Sequence, residues 1–206
     1  MEKNFTEQDS LKLINEMITQ ARNNMQKGSV DSLIFAGYSV AITSIINFIL
    51  LHVLTPAYLS FWIWLLMIPM SVVCLVMGRR NEKKALVKTH VDKTITVVWF
   101  SFFITTVLFL ACVFTLSFVF KIGMIGIIIN PVMLILMGSA QYTTGVISRF
   151  APFRNGAFVF WGGAILSIIY PLFSGLDLQF IILAVCMIFG FVVPGHILNR
   201  KAKENV

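Results

Sequence analysis

The chain has 206 residues, of which 58% are hydrophobic and only 12% are charged, and its mean hydropathy is +0.87. Soluble domains carry roughly twice that share of charged residues, so the composition excludes an ordinary soluble domain and predicts an integral membrane protein. The net charge of +7 does not indicate nucleic-acid binding, because the basic residues fall between long apolar segments, as in proteins whose charges determine membrane orientation.

Residues 1–30 form a polar segment in which we predict a cytoplasmic amphipathic helix over about residues 7–27. Thr6 provides an N-cap and Gly28 a stop. Between them, apolar residues recur every three or four positions: Leu11, Ile14, Ile18, Ala21 and Met25. The polar face is close to neutral, whereas helices that bind anionic lipid are usually rich in lysine and arginine. We therefore expect the helix to pack on the bundle or on a partner, with an interfacial position as the alternative.

Six apolar segments follow within residues 31–199, each long enough to cross the bilayer as a helix. The predicted spans cover about residues 33–54, 58–77, 94–120, 125–142, 156–173 and 178–198. Residues 200–206 form a basic tail. The predicted fold class is therefore an all-α polytopic membrane protein, with six transmembrane helices after the N-terminal amphipathic helix.

The basic residues predict the orientation of this bundle. If both termini are cytoplasmic, every lysine and arginine except Lys121 lies on the cytoplasmic side, as the positive-inside rule requires. The connector between the second and third spans, residues 79–93, contributes the largest share of these basic residues. The predicted topology is a membrane crossed several times, with both termini in the cytoplasm.

The most distinctive feature inside a span is the pair Asn130 and Pro131. Proline removes a backbone donor, and asparagine can bond the freed carbonyl or a neighbouring helix. A hinge or substrate-facing break is one interpretation. We favour a packing kink, since proline and glycine are common in membrane helices. A kink is also expected at Pro69 in the second span.

A second candidate is a group of polar residues expected on the cytoplasmic face: Gln141, Tyr142, Arg149, Arg154 and His196. The two arginines could pair with a phosphate or an acidic headgroup. The alternative is ordinary anchoring of helix ends at the membrane surface. No acidic or basic residue lies within any predicted span, which counts against an ion-coupled pump but not against a passive pore.

No metal, haem or other cofactor is predicted. The three cysteines lie inside apolar segments, without metal-ligand spacing or a disulfide framework. His52 and His196 are expected at opposite depths, so they could not share one haem iron. His90 could approach His196, but no cysteine or carboxylate completes a site there. Known catalytic motifs are absent, so we predict that the chain is not an enzyme. The expected contacts are the lipid bilayer and a protein partner, and the oligomeric state is left open.

Two terminal segments, residues 10–18 (SLKLINEMI) and 194–202 (PGHILNRKA), are similar to those of a known group of proteins. They resemble an uncharacterised family of small multi-pass bacterial inner-membrane proteins, over essentially the whole chain. The resemblance implies the location and the architecture, and it assigns no catalytic residue.

Three functions are compatible with these observations. The leading hypothesis is a non-enzymatic regulatory or accessory component whose interaction surface is cytoplasmic, because a near-neutral amphipathic helix accompanies spans without charged groups. The alternative is a small transporter or channel for a neutral or amphipathic solute, gated at Asn130 and Pro131. The third is a membrane enzyme acting on lipid headgroups, which depends only on Arg149, Arg154 and His196.

Overall fold

A computed structural model describes residues 31–84, 90–121, 123–172, 175 and 177–204. These residues are helical almost throughout and contain no β-strand, which confirms the all-α class. The amphipathic helix predicted over residues 7–27 and the central part of the 79–93 connector lie outside the described residues.

The described part of the chain contains seven α-helices, several of which continue directly into another helix type. The α-helices are α1 Asp31–Val53, α2 Met67–Lys84, α3 His90–Phe118, α4 Ile129–Ile147, α5 Ala151–Ile169, α6 Leu178–Met187 and α7 Val193–Glu204. The 3-10 segments Ala57–Leu66 and Gly123–Ile128 lead into α2 and α4, and Tyr170–Leu172 extends α5. The π-helical segment Ile188–Val192 joins α6 to α7 as one continuous helix.

Five helical runs among the described residues are long and apolar enough to cross a membrane. They are Asp31–Val53, Tyr58–Arg80, Val91–Phe118, Ile125–Ile147 and Leu178–Arg200, and they agree with five of the predicted spans. In the position of the remaining predicted span the structure has α5. This helix begins at Ala151 rather than at residue 156, so its first turn includes Arg154.

Successive long helices alternate in direction, as side-chain contacts near their ends show. Near the start of α1, a Cβ on Gly37 would lie 2.7 Å from Val192, just before α7. Near the start of α3, the rings of Trp99 and Phe191 are 5.5 Å apart. In the second half of the α2 run, Cys74 Sγ lies 3.8 Å from the carbonyl of Ser32 at the start of α1. The starts of α1, α3 and α5 therefore lie at the same end of the bundle as the ends of α2, α4 and α7. We call this the basic end, because most of the described basic residues lie there: Arg79, Arg80, Lys93, Arg149, Arg154 and Arg200.

The hydrophobic core lies where α1, α4, α5 and α6 meet, and α5 is at its centre. Phe160 of α5, Leu134 of α4 and Met187 of α6 are all at most 1% exposed. By contrast, α2 and α3 are peripheral, since only 6% of the most apolar stretch of each is buried, against 33–50% for the other three spans. The protein is therefore a packed core of helices with two largely exposed helices beside it.

Candidate functional site

The five polar residues predicted as one cytoplasmic-face group occupy four different places. Arg149 and Arg154 line the same cavity. Gln141 is buried inside the bundle, and the half-buried Tyr142 lies against Trp161 of α5. His196 contacts Tyr38 of α1. Only the two arginines therefore share one site.

The arginine cavity lies at the basic end, between the end of α4 and the start of α5. Its volume is about 250 Å³, and its lining is Gly145, Val146, Arg149, Ala151 and Arg154. Both arginines are exposed. A Cβ on Gly145 would lie only 2.5 Å from the backbone nitrogen of Arg154, so glycine is what allows the two helices to approach this closely.

The loop that carries Arg149 ends α4 with a Schellman cap. The N–H of Phe150 donates to the Gly145 carbonyl at 3.0 Å, and the N–H of Arg149 donates to the Val146 carbonyl at 3.2 Å. These are the two hydrogen bonds that define this cap, and the residue in the Arg149 position is usually glycine, because it must adopt a left-handed conformation. Arg149 adopts it, with φ of 53°, at a cost of about 1–2 kcal/mol. Because no glycine marks the end of the helix, sequence reasoning missed this cap.

The cavity is electropositive. Within the described part of the chain, no carboxylate forms an ion pair with either arginine. An ion pair between His52 and Asp177, at 3.2 Å, lies at the opposite end of the bundle. The 19-residue helix α5 also begins at the cavity, with Phe150 in the N-cap position and no side-chain cap. The N-terminus of a helix carries a partial positive charge, which adds to the charge of the two guanidinium groups.

Gln141 holds α4 to the junction of α6 and α7. Its Nε2 donates to the carbonyl of Gly190, within the π-helical segment. In a regular α-helix that carbonyl would accept from the N–H four residues later, but residue 194 is proline and has no N–H. The glutamine amide therefore supplies a donor to a carbonyl that cannot receive an α-helical hydrogen bond from Pro194.

The same arrangement recurs at the opposite end of the bundle. Pro171 cannot donate to the carbonyl of Ser167, and Gln179 Nε2 donates to it instead, at 2.9 Å. Asn130 Nδ2 donates to the carbonyl of Gln179 at 2.5 Å. Asn130 and Pro131 are buried in the first turn of α4, where the preceding 3-10 segment ends. The Asn130 side chain thus ties α4 to α6.

Tyr142 and His196 make contacts away from the cavity. Tyr142 lies against Trp161 of α5, with ring centroids 5.5 Å apart. His196 Nε2 lies 3.2 Å from the hydroxyl of Tyr38, a contact that joins α7 to α1. Sequence reasoning missed Gln179 and also Asn47, a fully buried residue whose side-chain atoms have no hydrogen-bond partner among the described residues.

Among the described residues there is no group of three or more His, Cys, Asp or Glu side chains that could hold a metal ion. No family model matches the chain, and comparison with curated proteins and with solved structures also gives no match. The resemblance noted from the terminal segments stays a prediction.

Proposed function

We propose that the protein is a non-enzymatic regulatory or accessory component of a bacterial inner membrane, and that it engages its partner through the basic end. The observation that supports this most directly is the cavity lined by Arg149 and Arg154. Two exposed guanidinium groups without a carboxylate partner in the described residues form a surface suited to an acidic group from another molecule.

The buried polar residues support a structural role for the interior of the bundle. Gln141, Gln179 and Asn130 all donate to main-chain carbonyls of neighbouring helices. Such bonds hold membrane helices together. For Asn130 this favours the packing interpretation over a transport gate. For a headgroup-acting enzyme, His196 would have to act with the arginines, whereas its described contact is with Tyr38.

The proposed orientation places the basic end and both termini in the cytoplasm. Its support is the concentration of lysine and arginine at that end, with Lys121 at the other. A test uses single cysteines at Ala151 and at Lys121, both exposed, in a chain whose native cysteines are replaced by serine. A membrane-impermeant maleimide should label the Lys121 site in intact cells and the Ala151 site only after permeabilisation. The reverse pattern would overturn the orientation.

The accessory role is tested by photo-crosslinking in living cells. A photoreactive amino acid at Val146, which is 51% exposed beside the cavity, should give a protein adduct. The matched control position is Val119, 69% exposed at the opposite end, which should not give that adduct. The Val146 adduct should also be lost when Arg149→Gln and Arg154→Gln are introduced together. Adducts to lipid alone, or the same adduct from both positions, would contradict a partner at the basic end.

A further inference from the structure

We propose that the cavity between α4 and α5 binds a phosphate group, carried either by an anionic phospholipid headgroup or by free phosphate. This proposal rests on the proposed function only in assuming that the protein binds other molecules through its basic end. The ligand chemistry follows from the cavity itself.

The charge and shape of the cavity suit a phosphate group. The guanidinium groups of Arg149 and Arg154 are planar, permanently charged donors that match the oxygens of a phosphate in pairs. The start of α5 adds the partial positive charge of a helix N-terminus. The anion would be held by the arginine side chains rather than by the main chain, because Pro152 has no N–H and the N–H groups of Phe153 and Arg154 donate to the Phe150 carbonyl. The lining has no acidic residue, so nothing in it opposes an anionic ligand. A volume of about 250 Å³ accommodates a phosphate together with part of its ester.

The backbone at Arg149 offers a clean way to test this site. A left-handed residue in a Schellman cap is usually glycine, which carries no strain there. Arg149 adopts this conformation with φ of 53°, so glycine in its place removes the guanidinium and relieves the strain together. Lys121 also has a positive φ, of 55°, but it lies at the opposite end and does not line the cavity, which makes it a matched control.

The position of the cavity along the bundle supports a lipid source for the phosphate. The cavity follows directly on Ile125–Ile147, one of the helical runs long and apolar enough to cross a membrane. Residues just beyond the end of such a span are expected in the interfacial region, where the lipid headgroups lie.

The proposal can be tested with the purified full-length protein in a neutral detergent, by isothermal titration calorimetry. The probes are a short-chain phosphatidic acid, the diacylglycerol with the same chains, and inorganic phosphate. We expect the phosphatidic acid to bind and the diacylglycerol to show no saturable binding. If inorganic phosphate binds as tightly as the lipid, free phosphate is the source of the ligand. If only the lipid binds, the lipid headgroup is the source of the phosphate.

Two variants separate the cavity from general basic character. Arg149→Gly removes the guanidinium and relieves the left-handed strain, so the variant should fold at least as well as the wild type. We expect it, and Arg154→Gln, to weaken binding by about tenfold or more, the loss expected for a hydrogen bond to a charged group. Lys121→Gly relieves the same backbone strain, and Arg79→Gln removes a charge from the same end without touching the cavity. Both should bind like the wild type.

The outcomes separate this proposal from the one before it. No saturable binding of either phosphate probe, or equal weakening by Arg79→Gln and Arg149→Gly, overturns the phosphate site. If the wild-type arginines give no protein adduct at Val146 while phosphate binding is intact, the partner is overturned and the phosphate site stands. If the Val146 adduct forms but neither phosphate probe binds, the phosphate site is overturned and the partner stands.

Discussion

At the residue scale, the interior of the bundle contains two glutamines that compensate for two prolines. Gln141 donates to the carbonyl four residues before Pro194, and Gln179 donates to the carbonyl four residues before Pro171. A carbonyl without a donor is costly in an apolar medium. Each proline is therefore tolerated because a side chain on a neighbouring part of the bundle satisfies the carbonyl that it frees.

The dependence between Gln141 and Pro194 can be measured with a double-mutant cycle. We expect Gln141→Leu to lower the free energy of unfolding by about 1–3 kcal/mol, because the Gly190 carbonyl stays buried without a donor. Pro194→Ala restores a main-chain N–H that can donate to this carbonyl, so in that background Gln141→Leu should cost clearly less. Denaturant unfolding in mixed micelles gives all four values. Equal costs in the two backgrounds would show that the glutamine does not compensate for the proline.

Gly156 marks the point where α4, α5 and the π-helical segment come closest. A Cβ there would overlap the carbonyl oxygen of Gly190 and would lie 2.6 Å from Gln141 Nε2. Gly156→Ala should therefore destabilise the protein by about 1–3 kcal/mol, as overpacking does, and weaken the Gln141 hydrogen bond. The control is Gly162→Ala on the same helix, where a Cβ meets nothing within 4 Å. That change should be neutral, or stabilising by up to about 1 kcal/mol. If thermal unfolding shows a similar loss of stability for both variants, the close approach of the helices at Gly156 would be contradicted.

At the element scale, apolar length and charge spacing predicted where the helices lie but not their internal type. The positions of α1, α3 and the α6–α7 helix follow from uninterrupted apolar sequence. The π-helical segment Ile188–Val192 was not predicted, because apolar length and charge spacing do not distinguish one helix type from another. Pro69 and Pro131, where kinks were predicted, lie in the first turns of α2 and α4, just after 3-10 segments. The two arginines were predicted together, but their cavity depends on the unpredicted cap at Arg149.

The link between α1 and α6 at the end opposite the basic end is an exposed ion pair, and we expect it to contribute little. His52 Nε2 lies 3.2 Å from Asp177 Oδ2, and the two side chains are 53% and 44% exposed. Ion pairs in contact with solvent are typically worth less than about 1 kcal/mol. His52→Gln and Asp177→Asn should therefore each change the free energy of unfolding by less than Gln141→Leu does, in the same micelle assay. A larger loss than for Gln141→Leu would mean that the pair is shielded from solvent in the membrane.

At the scale of the whole molecule, the bundle divides into a packed core and two peripheral helices. Close contacts through glycine join α4 to α5 and α5 to α6, whereas α2 and α3 bury few side chains. In a bilayer, lipid satisfies an exposed apolar helix face as well as another helix does. The exposed apolar faces of α2 and α3 are therefore suited to contact with acyl chains, whereas the described charged side chains are concentrated at the basic end.

Lipid contact along α3 can be measured by fluorescence quenching with brominated acyl chains. In a chain whose native tryptophans are replaced by phenylalanine, single tryptophans are introduced as Phe103→Trp and Phe114→Trp, at positions 60% and 53% exposed. We expect strong quenching at both, because these side chains lie on the open face of α3. Phe160→Trp, at a position with no exposure, should be quenched weakly, and Phe153→Trp serves if that variant does not fold. Protection of the α3 tryptophans equal to that of the buried one would mean that protein, not lipid, covers this face. The partner would then bind within the membrane rather than at the basic end.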